Sequence, residues 1–247
     1  MDLENYFKQN PVVALGFSGG VDSSYLLYAG RRYGADIKPY FIKTAFQPQF
    51  EYEDALKMAS ELGADLTVIE HDVLQEPQVT KNSNQRCYFC KTALFSILRE
   101  QAFQDGYKIL IDGTNASDDA DDRPGMRALG ELSVHSPLRI CGLTKENVRR
   151  LSKEAGLFTW DKPAYACLAT RVPADESITA EKLQMIEQSE TWLFDHGFSD
   201  FRVRLMGMAA RLELKAEQMP RALEMRQAML SDWGTRFEHV MLDLKPR

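Results

Sequence analysis

The string Ser18-Gly19-Gly20-Val21-Asp22-Ser23-Ser24 combines two glycines, three hydroxyls and a carboxylate. Glycines let backbone N–H groups approach an anion and hydroxyls donate to it, while a carboxylate beside phosphates calls for a cation between them. The string reads as a phosphate cradle, although a tight turn with a serine N-cap uses the same residue types. It is neither a Gly-Lys-Ser nucleotide loop nor a G-x-G-x-x-G fingerprint.

Sulfur chemistry is the second theme. Cys87 and Cys90 form a C-x-x-C, open to reading as a redox pair, a zinc half-site or an idle pair packed at a helix start. Cys167 lies in an aperiodic stretch with Lys162 and Arg171 close in sequence, cations that favour a thiolate if they are also close in space. Cys141 reads as structural. Asp112-Gly113-Thr114-Asn115 offers a turn glycine and short polar groups for a nucleotide or magnesium, and Asp118, Asp119, Asp121 and Asp122 read as a solvated surface.

Arginines supply the anion-binding candidates. Arg202 and Arg204 stand two apart in a strand-like run, so their guanidinium groups share a face, suited to a phosphate or to plain solvation. Arg123 and Arg127 are candidate clamps, equally readable as exposed helix-end charges. Trp160 and Tyr165 are flat surfaces for a planar ring or for packing.

These residues need a scaffold. An apolar run over 12–17 stops at the glycine string, and helix-spaced apolar residues follow over 21–33. The alternation continues with strands at 37–42, 65–70 and 108–111 and helices at 51–62, 92–103 and 144–155. Strands alternating with helices predict an α/β fold, a parallel sheet with helices on both faces and ligands beyond the carboxyl ends of its strands. Residues 112–137 read as loops with one short helix, and 162–177 as a junction. The tail reads as helix 179–196, strands 201–204 and 209–214, helix 220–233 and strand 237–242, a small α+β unit. The expected division is 1–165 and 166–247.

The chain's 247 residues, 44% hydrophobic and 27% charged, suffice for a large core. A net charge of −6 disfavours broad capture of nucleic acid. No apolar run reaches the ~20 residues of a membrane helix, and the N-terminus lacks a basic-then-apolar leader, so a cytoplasmic protein is expected.

The glycine string resembles the pyrophosphate loop of the N-type ATP pyrophosphatases, which split ATP between the α and β phosphates and transfer AMP to a carboxylate or carbonyl oxygen. Taken with Arg86-Cys87-Tyr88-Phe89-Cys90-Lys91, Asp112 to Asp118, Arg123-Pro124-Gly125, Arg127-Ala128, Ser136-Pro137-Leu138 and Lys162 to Arg171, nearly the whole chain resembles the LarE family. That family comprises ATP-dependent sulfurtransferases acting on pyridinium-3,5-biscarboxylic acid mononucleotide during synthesis of the nickel-pincer nucleotide cofactor.

The resemblance implies ATP and Mg2+ as cofactors. ATP contacts fall at Gly16, Phe17, Ser18, Gly19, Gly20, Val21, Asp22, Ser23, Ser24, Gly113 and Thr114, with Lys43 and Thr44 beside the adenine. Asp22 and Glu190 become magnesium ligands, and Arg123, Arg171, Arg202 and Arg204 substrate or phosphate ligands. Cys167, Asp22 and Glu190 form the catalytic set. In one branch of the family the matching cysteine is a sacrificial sulfur donor; in another, three cysteines hold a [4Fe-4S] cluster, for which Cys87, Cys90 and Cys167 are the candidates here. The implied partners are the mononucleotide and sulfur-delivery or pathway enzymes, with a homo-oligomer, a hexamer by resemblance, and neither membrane nor nucleic acid. The alternatives are an ammonia-using ligase of the NAD or GMP synthetase type, disfavoured because no glutaminase region precedes the loop, a tRNA thiolase, and a nucleotide-binding regulator without turnover.

Overall fold

The computed structural model describes residues 1–118 and 124–247. They form two compact units, Met1–Asp72 with Gln85–Lys162, and Val73–Asn84 with Pro163–Arg247.

The first unit opens with α1 (Leu3–Gln9), capped by Asp2, whose carboxylate accepts from Asn5 N at 2.8 Å. Its buried Leu3, Tyr6 and Phe7 recur at helical spacing, a signal present in the sequence. Then come β1 (Val12–Gly16), α2 (Val21–Arg32), β2 (Asp36–Lys43), α3 (Gln49–Glu61) and β3 (Thr67–Glu70). After α4 (Pro77–Thr80), which belongs to the second unit, follow α5 (Arg86–Gln104), β4 (Leu110–Ile111), α6 (Pro124–Glu131), α7 (Pro137–Ile140) and α8 (Lys145–Glu154).

The sheet runs β3-β2-β1-β4 with every pairing parallel. Val13, Ala14 and Leu15 of β1 are fully buried, which is why this strand is an unbroken apolar run rather than an alternating one. One core cluster joins β1 with α1, α2 and α3, and another joins Ala14 and Tyr40 with Leu98 and Ala102 of α5. The expected α/β architecture is present.

Two helices differ from expectation. The helix read as starting at residue 92 begins at Arg86, so Cys87 and Cys90 lie in its first turns. Packing between α5 and α6 carries it back: Tyr88 Oη donates to Glu131 Oε2 at 2.7 Å, and the Arg127 guanidinium lies 4.0 Å from the Tyr88 ring centre. The tail helix read over 220–233 is two, α10 (Met219–Glu224) and α11 (Arg226–Trp233), because Met225 leaves the helical backbone region with ψ near 5°.

The second unit contains α9 (Ala180–Asp195) and a three-stranded sheet of β5 (Arg202–Met206), β6 (Ala209–Glu213) and β7 (His239–Leu242). β5 and β6 are antiparallel, β6 and β7 parallel. Segment 73–84 joins this unit through main-chain bonds from Ile178 N to Thr80 O (2.8 Å) and Asp175 N to Asn82 O (3.0 Å), and through Asn82 Nδ2, which donates to Pro173 O at 2.6 Å. Asn82 is itself buried. The sequence places one boundary between 165 and 166, whereas contacts divide the chain after Lys162 and make the second unit discontinuous. Among the described residues no helix is long and apolar enough to cross a membrane.

Candidate functional site

β1 delivers the chain at Gly16 into the glycine loop, and α2 starts at Val21. Gly19 has φ +70°, and a Cβ on it would sit 2.9 Å from the Cα of Ala55 on α3, so any side chain there meets both strain and backbone. Hydroxyls stitch the loop together: Ser18 N donates to Ser23 Oγ at 3.3 Å, the two Oγ atoms lie 3.1 Å apart, and Gly20 N reaches Ser18 Oγ at 3.4 Å. Gly20 is the N-cap of α2 and no side chain caps that turn among the described residues, an arrangement suited to an anion on backbone N–H groups. Phe17, Val21 and Ser23 are buried around it. Ser24 is wholly buried and its hydroxyl is enclosed without a hydrogen-bond partner, so it does not face solvent at the loop.

Asp22 lies in the first turn of α2. Its Oδ1 accepts from Asn115 Nδ2 at 3.3 Å, and its Oδ2 is bound by the Lys145 ammonium from the start of α8. Burial raises the Asp22 carboxyl above the usual carboxylate range, against the opposing pull of Lys145. Gly113 brings the 112–115 loop against this turn: a Cβ there would stand 3.0 Å from Ser23 N and 3.3 Å from Asp22 Cβ. Asp112 is buried and holds its own loop, accepting from Thr114 Oγ1 at 2.5 Å and from Ser136 Oγ at 2.6 Å. The hard oxygen of Asp22, beside a glycine cradle, fits a magnesium ion. Lys145 escaped the sequence reading because it stands 123 positions from Asp22.

At the end of β2, Thr44 Oγ1 donates to Gln47 Oε1 at 2.7 Å and accepts from Phe46 N at 3.0 Å, which curls the chain into α3. Lys43 Nζ reaches Gln47 O at 3.3 Å and lies 5.3 Å from the Tyr52 ring centre. Lys162 pairs with Asp54 at 2.7 Å, and Lys153 lies 4.5 Å from the Trp160 ring centre.

Cys87 is exposed and Cys90 partly buried, with Arg86 Nη2 at 3.9 Å from Cys87 Sγ. Among the described residues no three His, Cys, Asp or Glu side chains are grouped so as to hold a metal. Cys141 packs beside the first core, and burial pushes its thiol up. Arg123, with Asp119, Asp121 and Asp122, lies outside the described residues.

In the second unit Cys167 is partly exposed and caps the 3-10 turn Leu168–Arg171. Three arginines hold this segment by its carbonyls. Arg171 Nη1 donates to Ala166 O (2.8 Å) and Cys167 O (3.4 Å), Arg202 Nη2 to Ala164 O (2.7 Å), and Arg204 Nη1 to Thr170 O (2.7 Å). Arg202 and Arg204 do share a face, as the strand period requires, and both turn toward this loop.

Behind the loop lies Glu190 of α9. Oε1 accepts from Arg171 Nε at 2.9 Å and from Val203 N at 2.9 Å; Oε2 accepts from Arg171 Nη2 at 3.2 Å and from the Tyr165 hydroxyl. Four donors fill both oxygens, and Glu190, 2% exposed, offers no open site to the magnesium expected there. Burial works against the charge of Arg171, but Glu190 outweighs it and the guanidinium pKa rises. Arg202 differs. Burial first, and the charges of Arg171 and Arg247 next, lower it to about 10, with Asp200 4.0 Å away. The Tyr165 ring lies beside both guanidinium groups, its centre 4.5 Å from that of Arg171 and 5.0 Å from that of Arg202.

No protein-family model matches the chain. It is 35% identical over 250 residues to an uncharacterised Synechocystis protein, covering 99% of this chain and 92% of that one. It is 30% identical over 237 residues to the pyridinium-3,5-bisthiocarboxylic acid mononucleotide synthase of Lactiplantibacillus plantarum, covering 94% and 85%. A 26% match over 194 residues to the glutamine-hydrolysing GMP synthase of Aeropyrum pernix covers 70% of this chain and 37% of that enzyme, in keeping with the pyrophosphate-loop α/β fold.

Proposed function

The chain belongs to the LarE family, that of the pyridinium-3,5-bisthiocarboxylic acid mononucleotide synthase, and on that premise we propose that it is an ATP-dependent sulfurtransferase of nickel-pincer cofactor synthesis. The observation that carries the sulfur-transfer step is the Cys167 loop, fixed by guanidinium groups on the carbonyls of Ala164, Ala166, Cys167 and Thr170. A nucleophile on a held loop keeps its geometry while a carbonyl carbon is brought to it.

In this reading the first unit adenylates. A substrate carboxylate oxygen attacks the α phosphorus of ATP at the glycine loop, the bond from that phosphorus to the bridging oxygen breaks, and pyrophosphate departs. Asp22 would hold a magnesium ion, which would supply positive charge against that leaving group.

The second unit transfers sulfur. The Cys167 thiolate attacks the carbonyl carbon of the acyl adenylate, and AMP leaves. Loss of the Cys167 Cα proton with cleavage of its Cβ–Sγ bond then yields the thiocarboxylate and dehydroalanine. Arg171 and Arg204 position the loop, Glu190 anchors Arg171, and Arg202, a buried cation of lowered pKa, is the guanidinium that an anionic substrate group would most relieve.

The test incubates anaerobically purified protein with Mg-ATP and pyridinium-3,5-biscarboxylic acid mononucleotide and weighs the peptide carrying Cys167. Dehydroalanine that depends on both compounds is the expected result. Sulfurated product with Cys167 intact overturns the sacrificial step. No product, with pyrophosphate released only when ammonia is added, overturns the sulfurtransferase in favour of an amidating ligase.

A further inference from the structure

We propose that Lys145 is an exchangeable cation of the adenylation site, paired with Asp22 before ATP binds and transferred to the pyrophosphate portion of ATP when a divalent cation takes over Asp22. The inference rests on the ATP reading above and assigns a role to a residue that reading leaves unused.

The ion pair is tethered at one end. Lys145 opens α8, where Thr144 and Asn147 form a reciprocal capping box and Lys145 N donates to Ser117 Oγ at 3.0 Å. Its Cα is therefore fixed beside the 112–118 loop, while its four-carbon stem leaves the ammonium free to change partner. The Asp22 side chain is 19% exposed and that of Lys145 35%, so the carboxylate is the enclosed member and the ammonium the accessible one.

Charge accounts for the exchange. The Asp22 carboxylate is largely enclosed, and the Lys145 ammonium is the cation bound to it. Withdrawal of the ammonium alone would leave a buried, uncompensated anion. With a divalent cation and pyrophosphate bound together, the cation would compensate Asp22 and the pyrophosphate oxygens would accept the displaced Lys145 ammonium. Asp22 sits in the first turn of α2, directly after the Gly19-Gly20 cradle, so both exchanges take place at one helix end. An ammonium held there opposes the negative charge that develops on departing pyrophosphate. Lysine suits the task, being a compact point charge on a flexible stem, whereas a planar guanidinium is committed to fixed bidentate geometry.

Calorimetric titration of the whole chain with magnesium pyrophosphate, and separately with AMP, tests the exchange without turnover. Wild-type protein is expected to bind both. Lys145→Met should weaken magnesium pyrophosphate by at least about tenfold, the scale of one charge-assisted phosphate contact, with AMP affinity within about twofold. Lys145→Arg should recover part of the loss. Unchanged or tighter pyrophosphate binding by Lys145→Met overturns the proposal and leaves Lys145 a counterion of Asp22. Wild-type protein that binds neither ligand overturns the ATP reading, and this inference with it. Retained AMP affinity certifies the fold of the variant, and Lys145→Gln is judged by the same criterion where Lys145→Met loses cooperative melting.

Discussion

Arg171 and Glu190 form a bidentate pair inside the second unit, Nε to Oε1 at 2.9 Å and Nη2 to Oε2 at 3.2 Å, with side chains 0% and 2% exposed. The same guanidinium reaches Ala166 O and Cys167 O through Nη1. One arginine thus links a buried carboxylate on α9 to the backbone that carries Cys167.

Neutralising that carboxylate should therefore be severe. Glu190→Gln keeps the side-chain shape but strands the buried Arg171 charge, and truncating one partner of a buried pair costs about 3–5 kcal/mol. Urea unfolding followed by tryptophan fluorescence, with Trp192 and Trp233 in this unit, should show the loss. A variant within about 0.5 kcal/mol of wild type would mean the pair is not formed.

Tyr165→Phe is the milder perturbation. It removes the hydroxyl that donates to Glu190 Oε2 and keeps the ring contacts with Arg171 and Arg202. The expected loss of stability is about 1 kcal/mol, the net worth of one such hydrogen bond. Sulfur transfer, and the AMP release that goes with it, should slow while pyrophosphate formation persists, which product analysis resolves. Equal slowing of both steps would assign Tyr165 to adenylation instead.

The glycines of the first unit should be intolerant. In Gly19→Ala the new Cβ meets the backbone of Ala55 at 2.9 Å in a left-handed conformation, and in Gly113→Ala it meets Ser23 N at 3.0 Å. Both displace the loop on which ATP is expected to sit. ATP affinity measured by calorimetry should fall by at least about tenfold, a loss of ~1.4 kcal/mol. Wild-type affinity in Gly19→Ala would remove the loop from the nucleotide site.

The thiols should alkylate in a definite order. Burial raises the Cys141 thiol above its ordinary range, so at any pH below that range its thiolate fraction is smaller than that of an unburied cysteine, and the difference closes as pH rises through the raised value. Cys87, exposed with a guanidinium 3.9 Å from its sulfur, should react with iodoacetamide well ahead of Cys141 at about pH 8. Peptide mass analysis over time reads the order. Equal rates would place Cys141 at the surface.

The sequence by itself determined the residue types and place of the glycine loop and the layered sheet that carries it. Gly19, Gly20, Asp22 and the unbroken apolar run before them are local signals, and strand-loop-helix order follows from periods of two and 3.6 residues. The face shared by Arg202 and Arg204 was legible for the same reason. Tertiary structure decided what those charged groups touch. Lys145 reaches Asp22 across 123 positions, and Glu190 is filled by Tyr165 and Arg171 from the Cys167 segment and by Val203 from β5. Arg204 turns to Thr170 O across 34 positions, and segment 73–84 leaves the first unit to bond residues 172–178. A local pattern shows which face a side chain takes, but the partner that satisfies a buried charge is set by which segments the whole chain packs together.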